Sequence, residues 1–135
     1  MFICMKDCPF CNLNNIEHST EFFNIIYDKY PVSKGHILVI SKRHVASYFN
    51  LCGAEKYELV KIIDTLQRYL SDTYSPDGFN IGFNDGKCAG QTVQHFHLHI
   101  IPRYEGDMEN PQGGVRSVIP NKQNYNIEDN EDFGK

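Results

Sequence analysis

Three histidines, His95, His97 and His99, alternate with Phe96, Leu98 and Ile100. Strict alternation is the signature of a strand, and side chains on a strand point to opposite faces in turn, so the imidazoles share one face while the apolar residues meet a core. A strand that was merely half-exposed would more commonly carry threonine or lysine there. Neutral imidazole is both a nucleophile and a metal ligand, and it titrates near pH 6.5. Two chemistries could use the trio: a zinc hydrolase with several of these histidines on one metal, or nucleophilic catalysis by the middle one with its neighbours orienting it and holding substrate. Alternate strand residues sit about 6.6 Å apart and the outer pair about 13 Å apart at the backbone, which makes three ligands on one tetrahedral zinc awkward. A division of labour fits better.

A second cluster of chemistry-bearing residues comes early, in Cys8-Pro9-Phe10-Cys11. A C-x2-C knuckle lets two thiolates reach one tetrahedral zinc, and two further ligands are then required. Cys4, His18, His36, His44 and His95 are the candidates, and spacing selects none of them. The alternatives are two buried small cysteines, or a redox pair, which the lack of a surrounding βαβ pattern disfavours. A third feature is Asp85-Gly86-Lys87-Cys88-Ala89-Gly90, a glycine-bearing loop running straight into the histidine strand. Backbone amides in such a loop can cradle phosphate, with Asn84, Gln91 and Thr92 as neutral donors.

The elements that position these residues follow from pattern. Glu21 to Asp28 and His36 to Ile40 read as strands forming a hairpin with a long loop, and Asn12 to Thr20 reads as a polar loop. Val45 to Phe49 reads as a short helix, and His36 as a packed, hydrogen-bonded histidine. Gly53 to Ser71 is the clearest helix, with Leu59, Ile63, Leu66 and Leu70 at helical spacing and Val60, Ile62 and Tyr69 widening the stripe. Phe79 to Asn84 resumes strand alternation, with Phe79, Ile81 and Phe83 on one face, and Pro102 marks where pairing of the histidine strand should stop. Val115 to Pro120 reads as an extended segment, and the chain beyond it as a polar, acidic tail.

The whole chain sets outer bounds. Its 135 residues suit a single domain with a real core. A formal charge of −4 argues against a nucleic-acid surface, which would show a basic stripe. No apolar run reaches membrane-spanning length, and Met1 to Asp7 turns charged at once, unlike a signal peptide. The expectation is a cytoplasmic protein, also nuclear if its source is a eukaryote. Five cysteines, an odd count, favour metal binding over disulfides in that compartment.

His95-Phe96-His97-Leu98-His99-Ile100-Ile101 resembles the H-φ-H-φ-H-φ-φ signature of the histidine triad (HIT) superfamily at every position. Gly90 to Val93, Pro102-Arg103, Gly35 to Ile40 and Lys42-Arg43-His44 are similar to it too, and the likeness covers roughly residues 8 to 120. The resemblance implies an α+β fold with an antiparallel five-stranded sheet and one long and one short helix. The HIT domain would span 1–120, with the zinc knuckle at 8–11 and a tail at 121–135. A homodimer binding a purine nucleotide is also implied. His97 would attack the α-phosphorus to form a nucleotidyl-histidine, its second ring nitrogen held by a backbone carbonyl of the same strand. His99 and Thr92 would contact the phosphate and leaving group, Asn84 and Gln91 would donate to the phosphates, Asp28 would hold the ribose hydroxyls, and Ile26 would lie under the base. The knuckle resembles a zinc-containing branch, in which His44 and His95 complete a structural zinc site with Cys8 and Cys11.

Several functions are compatible with that picture. The first is a hydrolase acting on a dinucleoside polyphosphate or a nucleoside phosphoramidate. Next come a nucleotidyltransferase or phosphorylase using the same intermediate, and a non-catalytic nucleotide-binding adaptor. A metallohydrolase with zinc on the triad is the remaining alternative. Gln94 stands where the phosphoramidase branch commonly carries an aromatic residue, and Gly113-Gly114-Val115-Arg116 resembles a microbial group of dinucleoside polyphosphate hydrolases.

Overall fold

The computed structural model describes residues 5–125. These fall in two compact units, divided between Tyr104 and Glu105. The first unit carries the elements β1 (His18–Ser19), β2 (Phe23–Tyr27), β3 (Ile37–Ser41), α1 (Gly53–Tyr74), β4 (Gly78–Gly82) and β5 (His97–Arg103). The strands form one sheet in the order β1-β2-β3-β5-β4, and every neighbouring pair is antiparallel. This is the α+β architecture that the sequence implies.

Alternation decides what each face of the sheet does. Phe23 and Ile25 of β2, Ile37 and Val39 of β3, and Leu98 and Ile100 of β5 join one buried cluster with Leu59, Ile62, Leu66 and Leu70 of α1. On the other face Ile26, Leu38 and Ile40 form a smaller cluster, against which Phe10 and Leu13 pack. β3 is therefore buried at all five residues, being central in the sheet and covered on both sides. His97 lies opposite Ile40 and His99 opposite Leu38, on the face away from the helix.

Four local expectations change. His18–Ser19, read as loop, is a two-residue strand held by pairing with Ile25 and Asn24 of β2. The expected short helix at Val45 to Phe49 is a 3₁₀ turn at Tyr48–Asn50, where Ser47 Oγ accepts from Phe49 N at 3.0 Å. In α1, Val60 and Tyr69 are 62% and 47% exposed, so the buried stripe is narrower than the apolar pattern, and Ile81 of β4 is likewise exposed. Pro102 does not end β5: it pairs with Phe79 of β4. Its ring is tolerated because the β3 ladder has already finished at Ile37 and Ile100, and the Pro102 carbonyl on that side accepts from Ser33 Oγ instead.

α1 starts where Glu55 Oε1 accepts from Cys52 N at 2.8 Å. Glu55 is 1% exposed and is paired with Arg43, whose Nη2 and Nε donate to its two oxygens at 2.7 and 2.8 Å. That fork ties the segment following β3 to the helix N-terminus. No helix among the described residues is long and apolar enough to cross a membrane.

In the second unit, Val115 to Pro120 is not extended. Gly114–Val118 and Pro120–Lys122 are 3₁₀ turns, fixed by Arg116 Nε donating to Lys122 O at 3.0 Å and by the Arg116 guanidinium over the Tyr125 ring. Gly113 has φ +92° and a Cβ there would collide with the Gln123 carbonyl oxygen, so only glycine fits. The rest of the expected acidic tail, 126–135, lies outside the described residues.

Candidate active site and metal centre

The site is assembled on the sheet face opposite α1. His97, 8% exposed, places Nδ1 2.9 Å from the His95 carbonyl oxygen. A carbonyl only accepts, so Nδ1 carries the proton and, in the neutral ring, Nε2 holds the lone pair. The resemblance implied such a backbone carbonyl on the same strand, and His95 supplies it.

His97 opens onto a cleft of about 650 Å³. Thr92, Asn84, Asp28 and His99 line it, as do the apolar side chains of Ile26 and Leu38. Six of the seven residues expected at a nucleotide site, His97, His99, Thr92, Ile26, Asp28 and Asn84, are thus brought to one cavity. Gln91 is the departure: it is buried and does not line the cleft. Its Oε1 accepts from Gly86 N at 2.8 Å, while Nε2 donates to Ala46 O at 2.8 Å and Val93 O at 3.2 Å. Both amide hydrogens are occupied in bracing the glycine loop. Gln94 also serves the backbone, donating to Gln91 O at 3.0 Å.

Other cleft residues escaped the sequence reading, Phe10, Leu13, Leu38 and His36 among them. Phe10 and Leu13 form an apolar wall with Ile26 and Leu38, and Phe10 meets His97 edge-on at 4.8 Å between ring centres. His36 is packed and hydrogen-bonded as expected, yet it also lines the cleft. The signal for it was its position two residues before Leu38, which puts both on one strand face. His36 Nε2 lies 2.9 Å from His99 Nδ1 and 3.5 Å from Asp28 Oδ2, and its Nδ1 accepts from Val32 N at 3.0 Å. Burial lowers the His36 pKa, with the Asp28 charge opposing. His99 is pushed down to about 4, by burial first and then by His97 and His36.

Behind the cleft lies a separate cluster. The ligand atoms of Cys8, Cys11, His44 and His95 all fall within 4.8 Å of one another. Cys8 Sγ is 3.4 Å from His95 Nδ1, Cys11 Sγ is 3.3 Å from His44 Nδ1, and the two Nδ1 atoms are 3.1 Å apart. Metal–ligand bonds of about 2.0–2.3 Å at tetrahedral angles give ligand separations of roughly 3.3–3.8 Å; the sulfur–nitrogen separations match this and the nitrogen pair is slightly shorter, so small shifts would seat the four around one ion. His95 Nε2 donates to Ser41 O at 2.6 Å, which orients the ring and leaves Nδ1 as the nitrogen able to bind a metal. Asn12 Nδ2 locks the knuckle by donating to Cys8 O at 2.8 Å and Lys6 O at 3.0 Å. Among the other candidates, His36 belongs to the cleft, His18 is exposed on β1, and Cys4 lies outside the described residues.

Residues 15–106 match the HIT domain family. An uncharacterised HIT-like protein of Methanocaldococcus jannaschii is 37% identical over 108 residues, covering 76% of this chain and 83% of that one. A bis(5′-adenosyl)-triphosphatase of Dictyostelium discoideum is 36% identical over 97 residues, covering 72% of this chain and 65% of its own length. The crystal structure of a Zn-bound histidine triad family protein from Mycobacterium smegmatis superposes with a TM-score of 0.69 at 32% identity, over 77% of this chain and 80% of that one. With triad, sheet order and family match in agreement, the chain belongs to the HIT family.

Proposed function

We propose that the protein is a nucleotide phosphohydrolase that cleaves at the α-phosphate of a purine nucleotide through a nucleotidyl-His97 intermediate. The observation that carries this is the 2.9 Å contact of His97 Nδ1 with the His95 carbonyl, which fixes the tautomer and leaves the Nε2 lone pair available as a nucleophile. The apolar wall of Phe10, Leu13, Ile26 and Leu38 suits a purine, Asp28 suits the ribose hydroxyls, and Thr92, Asn84 and His99 suit the α-phosphate. Catalysis at phosphorus is mainly positioning and charge stabilisation, and those neutral donors supply both. The triphosphatase relative supports a dinucleoside polyphosphate as the substrate class.

The Cys8, Cys11, His44 and His95 cluster is proposed to hold one structural Zn²⁺. Two S and two N ligands close the coordination shell and leave no position for a catalytic water. In that role the metal would supply folding energy, and through the knuckle it would seat Phe10 against His97. A homodimer, as the resemblance implies, acting in the cytoplasm, completes the reading.

The test is AMP release from diadenosine polyphosphate and from adenosine 5′-phosphoramidate, with wild type and His97→Ala. Release by wild type that disappears in the variant is expected. Undiminished release by His97→Ala would refute the covalent route, and release only when phosphate is added would mark a phosphorylase.

A further inference from the structure

One side of the cleft is built by a stretch of chain outside the sheet. Residues 5–16 form neither helix nor strand, yet Pro9, Phe10 and Asn12 to Asn15 line the cleft. Phe10 and Leu13 are its apolar contacts with the sheet, packed on Ile26, Leu38 and Ile40. Resting on the zinc and nucleotide readings above, we infer that Phe10 and Leu13 are positioning residues that couple the two sites. With the cluster of Cys8, Cys11, His44 and His95 loaded, they stand as the wall on which a base packs; with it empty, the wall is free to move off the sheet. Metal and nucleotide therefore raise each other's affinity.

The hydrogen bonds of the stretch are local. Cys8 N donates to Met5 O at 3.1 Å and Cys11 N to Cys8 O at 3.2 Å, while Asn12 Nδ2 donates to the carbonyls of Met5, Lys6 and Cys8. The backbone joins the sheet at Glu17, whose N–H donates to Ile25 O at 2.9 Å. Bonds of this kind make the knuckle a firm unit in itself but do not fasten it to β3 or β5. Its polar contact with that frame runs through sulfur, from Cys8 to His95 and from Cys11 to His44. A thiol is a weak donor and a weak acceptor, so without an ion these contacts hold little.

The two nitrogens, in contrast, are set by the frame. His95 is fully buried and donates to Ser41 O at the end of β3. His44 follows Arg43, which is forked onto Glu55 of α1. Half of the cluster therefore belongs to the sheet and half to the cleft wall, and an ion shared between them is the joint. Phe10 sits between Cys8 and Cys11 in sequence and meets the ring of His97 edge-on at 4.8 Å and that of His95 at 6.1 Å. A wall that is not held must be ordered by the nucleotide itself, and that ordering subtracts from affinity. Linkage makes the effect reciprocal: whatever factor the ion adds to nucleotide affinity, the nucleotide adds to ion affinity.

The test is calorimetric titration of AMP into the full chain, Zn²⁺-loaded and chelator-treated, with hydrogen exchange followed in both forms. AMP should bind about tenfold more weakly to the metal-free protein, within the usual range of coupling between sites. Exchange should rise across residues 9–15 and stay unchanged in β3 and β5. In a chelator competition, AMP should tighten Zn²⁺ binding by the same factor. Phe10→Ala/Leu13→Ala leaves all four ligands in place, so it should bind Zn²⁺ as wild type does in the absence of AMP, while its weakened AMP affinity should no longer depend on metal. Equal AMP affinity in the two wild-type forms would overturn the inference, as would metal dependence that persists in the double variant. Loss of protection in β3 and β5 on chelation would also overturn it, because the ion would then hold the whole fold and not one wall. A protein that takes up no Zn²⁺ would defeat the zinc reading and this one together, and one that binds no AMP in either form would defeat the nucleotide reading.

Discussion

On the proposed mechanism His97 would act through one nitrogen, whose availability depends on a single backbone contact. His97→Ala removes the nucleophile and little of the cleft wall, so turnover should fall by several orders of magnitude while AMP affinity stays within a few-fold. Parallel calorimetric titration and turnover assays separate the two effects. Thr92→Ala and His99→Ala each delete one donor; if those donors contact the developing charge, each should cost about 2.7–4 kcal/mol in the transition state. Gln91→Ala belongs to a different class, because its carboxamide braces Gly86, Ala46 and Val93. Its effect should appear in thermal stability as well as in rate. The sequence pointed to Gln91 as a phosphate donor from residue type and position alone, and neither conveys that both amide hydrogens are already engaged. The face on which His97 lies was legible because a strand's alternation fixes it, and the His95 carbonyl comes with the backbone.

Elements were legible to the extent that their own residues created them. α1 and β5 announce themselves through stripes that bury one face, and Leu70, fully buried under the sheet, should cost about 2–5 kcal/mol on truncation to alanine. Val60→Ala, on the exposed side of the same helix, should stay within about 0.5 kcal/mol. Urea denaturation of the two variants checks this contrast, and equal losses would contradict the narrower buried stripe. β1 was not legible, because His18–Ser19 has no strand pattern of its own and exists through its partner in β2. The side chains that gather with Cys8 and Cys11 were hidden for a related reason. They come from a segment after β3 and from the start of the histidine strand, and no spacing rule spans such gaps; the family resemblance supplied them. One Zn²⁺ per chain is expected by elemental analysis of protein purified without added metal. Cys8→Ser and His44→Ala should lose it, and a fully folded wild type without metal would sink the structural role.

At the scale of the whole molecule, buried neutral histidines make stability depend on pH. An unfolded imidazole takes its proton near 6.5, whereas folded His99 does so near 4 and folded His36 also below its ordinary value. Between those limits the unfolded chain binds more protons, so stability falls as pH drops from about 6.5 toward 4, and is restored as pH rises again. Denaturation midpoints at pH 7 and pH 5 should show the loss, and His99→Gln should show a smaller one. A midpoint difference as large in His99→Gln as in wild type would remove His99 from the account.

The metal cluster also bears on how the chain folds. Cys8 and His95 are 87 residues apart, and Cys11 and His44 are 33 apart. Bringing four such donors together in a disordered chain means closing long loops, an entropic cost that the sheet must meet first. Pairing of β3 with β5 sets His95 beside the segment that carries His44, and only then does the knuckle find two nitrogens waiting. A Zn²⁺ held there would be a late clasp and not a nucleus: adding Zn²⁺ to refolding protein should slow unfolding far more than it speeds folding.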